Sequence, residues 1–188
     1  MKRLFLPFCL LAVAVMLASC GGKTQQRASD ADSLSIIEPE QIADTTLYGR
    51  CGEGTSMNFI ELIIAEGDTL HCNITTDEDH SVVRGGLGVG DRLAVVTRVD
   101  EDGQLEANKV INLTTLLGKW ISIDQSFELQ EGGVVVSNIK EPRPLTDWSI
   151  CNGHFVLGAD TFDIYELGVD SLYLENANGI YAYKRLKN

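Results

Sequence analysis

The chain has 188 residues, 27 of them acidic and 15 basic, with a formal net charge of −12 and 44% hydrophobic residues. That length allows one domain or two small ones. A surface this acidic, without any Lys/Arg stripe interleaved with aromatics, excludes nucleic acid as a partner and charge-driven adhesion to anionic lipid head groups.

At the N-terminus, Lys2 and Arg3 precede an apolar run, Leu4–Leu17, broken only by Pro7, and small residues then lead into Cys20. This order makes residues 1–19 a secretory signal peptide, too short and wrongly flanked for a transmembrane helix. Its end, Leu17-Ala18-Ser19-Cys20, resembles the bacterial lipobox, a likeness that implies acylation of the Cys20 thiol and cleavage just before it. The 169 residues left set thirteen basic against twenty-seven acidic side chains, a formal charge of −14. Membrane attachment then rests on the fatty chains, each buried methylene contributing about 0.8 kcal/mol. Gly21-Gly22-Lys23 carries neither the aspartate of an inner-membrane retention signal nor the acidic run that resembles a surface-export signal. The expected location is the periplasmic face of the outer membrane.

Residues 20–46 read as a lipidated flexible tether, too poor in apolar groups to offset the entropy of ordering. Leu34, Ile36 and Ile37 form its one apolar patch. Asp32-Ser33-Leu34 and Asp44-Thr45-Thr46 resemble the Bacteroidetes O-glycosylation motif, which makes Ser33 and Thr45 candidate acceptors.

From Leu47 the pattern is that of strands: Leu47–Cys51, Asn58–Ala65, Thr69–Ile74, Ser81–Arg84, Arg92–Val99 and Leu105–Leu113, separated by Gly/Asp turns. Such runs predict hairpin-connected antiparallel structure, and about five strands over residues 47–115 suit a small OB-like barrel. Cys51 and Cys72 fall on separate strands of that barrel. A bond between them would close a loop of about twenty residues and stabilise by roughly 3 kcal/mol, whereas isolated buried thiols are the alternative.

Residues 116–188 continue as all-β. Ile121–Ile123, Ser126–Leu129, Val134–Ile139, Asp147–Cys151, His154–Leu157, Thr161–Glu166, Ser171–Glu175 and Ile180–Leu186 are the expected strands. Asn152-Gly153 between alternating segments is the strongest short hairpin signal in the chain. The chain shows no amphipathic helix of ten or more residues after the signal peptide.

Two features of this second half resemble the lipocalin-like superfamily: Gly118-Lys119-Trp120 at its start, matching Gly-x-Trp, and Arg185 on the last strand. The resemblance implies that Arg185 lies across the Trp120 indole and closes the barrel base, an arrangement contributing about 0.5–2 kcal/mol. Both residues are then structural. The chain as a whole resembles a class of Bacteroidetes lipoproteins with an OB-like front and a lipocalin-like rear, through Gly54-Thr55-Ser56-Met57, Glu66–Leu70, Val89–Arg92 and Lys109–Trp120. The rear segment is about half the length of a full lipocalin, so its barrel is expected to be short or a half-barrel, with an interior filled by side chains.

Catalytic and metal chemistry find little purchase. Gly86-Leu87-Gly88-Val89-Gly90 lacks the strand–helix context of a dinucleotide loop and the Gly-Lys-Ser/Thr of a P-loop, and reads as turn glycines. His71, Cys72 and His80 with the acids Asp77–Asp79 do not recur at zinc or calcium spacing, and no Gly-x-Ser-x-Gly elbow appears. Strand parity leaves open whether Asp147 and Asp163 face a barrel interior. No cofactor or metal is therefore expected, nor an enzyme. Aromatic residues cluster in the rear segment, chiefly as its core, and Trp148, Tyr181 and Tyr183 are the candidates for contacting a ligand. The expected function is non-catalytic binding of a small apolar or glycan ligand by a lipid-anchored envelope protein. A structural module presenting a surface to an envelope partner is the alternative.

Overall fold

In a computed structural model of the protein, residues 43–75, 81–137 and 144–187 are described. The signal peptide, Cys20, Ser33 and most of the tether lie outside them. The structure is almost entirely β, with 59% strand and 7% helix.

The first sheet comprises β1 (Leu47–Cys51), β2 (Phe59–Ile64), β3 (Thr69–Ile74), β4 (Val83–Arg84), β5 (Arg92–Val99) and β6 (Leu105–Asn112). Antiparallel neighbours run β3-β2-β1-β5-β6, and a parallel pairing of Asn73 and Ile74 with Glu106 and Ala107 closes five strands into an OB-like barrel. The two-residue β4 adds to β6 beside Val110 and Ile111. Inside sit Cys51, Ile60, Leu62, Cys72, Leu93 and Val95, all nearly inaccessible.

Cys51 and Cys72 are free thiols. The disulfide reading is corrected by topology: β2 lies between their strands, so the two positions are two strand spacings apart, roughly 10 Å along the sheet. A disulfide spans at most about 7 Å between Cα atoms. Burial pushes the Cys72 thiol above its usual range, as for an inert core cysteine.

A four-residue helix, α1 (Leu113–Leu116), leads into the second sheet. Its strands are β7 (Gly118–Ile121), β8 (Ser126–Gln130), β9 (Val134–Ser137), β10 (Trp148–Cys151), β11 (His154–Leu157), β12 (Asp160–Leu167), β13 (Ser171–Asn176) and β14 (Gly179–Arg185). They form an up-and-down antiparallel meander in which β14 returns to pair with β7, while β9 and β10 meet through the single bridge Val134↔Asp147. The result is a nearly closed eight-stranded barrel, so the rear segment reaches full strand number by shortening its strands. The first strand begins at Gly118, as the Gly-x-Trp pattern implies, but ends at Ile121 rather than Ile123, because Ser122–Gln125 forms the following turn and leaves Ile123 fully exposed. At the β10–β11 hairpin, Asn152 and Gly153 both take positive φ (48° and 75°), the type I′ geometry their sequence predicts.

The described residues, all within 41–188, form one compact unit. Strands β5 and β6 explain why. Leu93, Val95 and Val110 point into the front barrel, whereas Ala94 and Ile111 join the core of the rear one with Leu113 and Leu116. A strand buried on both faces reads as an unbroken apolar run, as Leu93–Val96 does. Polar ties cross the same seam: Tyr48 Oη donates to the Ile150 carbonyl at 2.7 Å, Arg84 Nε to the Ile164 carbonyl at 2.8 Å, and Lys109 Nζ to Asp163 Oδ1 at 2.8 Å. Thr45 donates through its amide and hydroxyl to Asn152 Oδ1, both at 2.9 Å, so the candidate glycosylation acceptor is engaged with the rear hairpin.

Asp163 and Asp147 both point outward and are exposed. Partial burial raises the Asp163 carboxyl, but Lys109 and His154, whose Nδ1 stands 3.0 Å away, outweigh it and hold the pKa below the ordinary value. Because the folded pKa is the lower one, the contribution is present above the unfolded value near 4 and is lost as pH falls through the folded pKa. Chemical unfolding at pH 6 and pH 3 is therefore expected to show Asp163→Asn removing less than about 1 kcal/mol of the acid-induced loss, a small figure because the carboxylate is solvated.

Candidate functional site

The base of the rear barrel is built around Trp120. Its indole is inaccessible, its Nε1 donates to the Leu116 carbonyl at 2.8 Å, and the Arg185 guanidinium carbon sits 4.1 Å from the ring centroid. Arg185 also donates to the carbonyls of Leu117 (2.7 Å), Thr115 and Val169, tying the helix α1 exit and the β12–β13 turn to the last strand. Asn112 caps α1 by accepting from the Thr115 amide at 2.9 Å and donates to the Gly86 carbonyl and Asp91 Oδ2. The Gly86–Gly90 segment is thus a structural loop, with Asp91 Oδ2 also receiving the Gly88 amide at 3.0 Å.

Above that base the interior is filled. Phe127, Phe155, Leu129, Leu172 and Leu174 are at most 1% exposed. Tyr183, only 4% exposed, packs edge-on against Phe127 and donates its hydroxyl to Gln125 Oε1 at 2.8 Å. Tyr181 lies on the same strand face, half-buried against Phe162 with ring centroids 5.6 Å apart. These two tyrosines and Gln125 line both of two hollows, of about 190 and 430 Å³, at the open end of the barrel.

Trp148 does not join them. It is 9% exposed, donates Nε1 to the Gln130 carbonyl at 2.9 Å, and sits at the edge of the rear-barrel core, its ring 6.2 Å from that of Phe155. There it lines a hollow of about 290 Å³ with Tyr48, Leu113, Leu117 and Ile150. Gly133 at φ 80° brings the β8–β9 turn against Trp148, and a Cβ there would stand 2.8 Å from the Trp148 carbonyl oxygen. Arg92 and Glu131, ion-paired at 2.8 Å, form the solvent-facing lip. Beyond the lip a second hollow of about 310 Å³ shares Tyr48, Arg92 and Leu113 and runs along β1 to Arg50 and Ile63.

Of the three residues expected to touch a ligand, the structure therefore brings Tyr181 and Tyr183 together at the mouth and places Trp148 elsewhere. Sequence reasoning missed Tyr48, Arg92, Leu113 and Leu117. The one available signal was Tyr48 at an outward position of β1, where a half-exposed aromatic needs a neighbour. Among the described residues, no three His, Cys, Asp or Glu side chains gather as metal ligands, and no helix is long and apolar enough to cross a membrane. Compared with known proteins, the chain matches no family model, no curated protein and no solved structure.

Proposed function

We propose that this is a lipid-anchored, non-catalytic binding module of the bacterial envelope, held at the outer membrane through Cys20, and that its ligand is a small apolar molecule taken up at the seam between the barrels. The observation that carries the reading is the seam hollow itself. It is concave, its lining includes Tyr48, Trp148, Leu113, Leu117 and Ile150, and it draws walls from both barrels. The shared core holds those walls. The filled interior of the rear barrel favours this place over an internal cavity, and the apolar lining favours an apolar ligand over a glycan. A second reading, presentation of a surface to an envelope partner, draws on Met57 and Val89. These are 90% and 66% exposed on the two loops that meet the Cys51 end of β1. Native mass spectrometry of protein purified from its own host separates the two: a retained small molecule supports the first, and a co-purifying protein with no small molecule overturns it in favour of the second.

A further inference from the structure

Arg50 and Arg92 are direct cross-strand partners on the outer face of β1 and β5. Side chains so paired have Cβ atoms about 5 Å apart, and like charges placed there destabilise a sheet. Such a pairing is conspicuous in a chain with 27 acids to choose from. Among the described residues, Glu131 pairs with Arg92 alone, and Arg50 donates a single bond, from Nη1 to the Gly90 carbonyl at 3.0 Å. Among the described residues, four of the five guanidinium N–H groups on each arginine are left for another acceptor, and one positive charge remains over the trio. Both arginines line the outer hollow, which adjoins the apolar one and shares Tyr48, Arg92 and Leu113 with it.

We infer that the seam takes a single-chain anionic amphiphile, its head between Arg50 and Arg92 and its tail in the hollow beside Trp148. This rests on the apolar reading above and adds the chemistry of the head. An anion between the two guanidiniums relieves their repulsion and accepts charge-assisted hydrogen bonds from both, which a neutral head cannot do. The apolar walls supply attraction for the tail whatever the head carries.

Calorimetric titration of the folded protein with decanoate and with 1-decanol at low ionic strength separates the two claims. The wild type is expected to bind decanoate at least tenfold more tightly than 1-decanol. Arg50→Gln, chosen because Arg50 is exposed and holds no ion pair with Glu131, is expected to lose fivefold or more in decanoate affinity and to leave 1-decanol within twofold. Added salt should weaken decanoate alone. Equal affinities for the two probes, or decanoate binding unmoved by Arg50→Gln, would overturn the anionic head while leaving the apolar site standing. Binding of neither probe would remove the apolar site itself.

Discussion

Trp120→Ala is expected to cost about 3–5 kcal/mol and to lower the melting temperature by roughly 10 °C or more. The ring is inaccessible and sits where α1, β7 and β14 converge. Its removal leaves a cavity, frees the Leu116 carbonyl of its donor, and strips the Arg185 guanidinium of the indole face beneath it. Trp120→Phe keeps part of the ring volume and should cost about half as much. Because the Trp120 cluster includes Ala94 and Ile111 from the front barrel, loss of the rear core withdraws support from both. Thermal unfolding followed by circular dichroism and by fluorescence should show one coincident transition, shifted as a whole. A front barrel that keeps its own unshifted transition would refute the shared core.

Ser149→Phe is expected to abolish binding of an apolar ligand, with more than a tenfold loss of affinity and a change in stability within about 0.5 kcal/mol. Ser149 points outward from β10, on the face opposite the buried Trp148 and Ile150 side chains, and lines the seam hollow. A phenyl ring there occupies the space the ligand needs, and an aromatic residue suits a strand position with an open face. Titration of 1-decanol into the variant, alongside a denaturation curve, reads both quantities. Retained affinity would place the ligand elsewhere.

Much of the architecture was legible in the chain because its signals are local. Glycine and aspartate turns bounded Leu47–Cys51, Thr69–Ile74, Arg92–Val99 and His154–Leu157 at the residues the structure uses, and Asn152-Gly153 fixed a hairpin through its two positive φ angles. The Gly-x-Trp pattern with Arg185 likewise led to a contact that is present at 4.1 Å. What stayed hidden depends on long-range placement. Nothing in Val110-Ile111 tells that one side chain enters the front core and the next the rear core, since two-face burial looks the same as any apolar run. The seam follows from that placement, and so do Tyr48, Arg50 and Arg92 as its lining. Trp148 was singled out for its type, whereas it stands on β10, four strands along the sheet from the β14 that carries Tyr181 and Tyr183.

Whether ligand enters the seam or the barrel mouth is decided most directly by photo-cross-linking. A decanoate analogue carrying a diazirine near its tail, irradiated with the folded protein and mapped by peptide mass spectrometry, should label peptides holding Tyr48 and Trp148–Ile150. Labelling confined to the β14 peptide holding Tyr181 and Tyr183 would contradict the seam as the binding site.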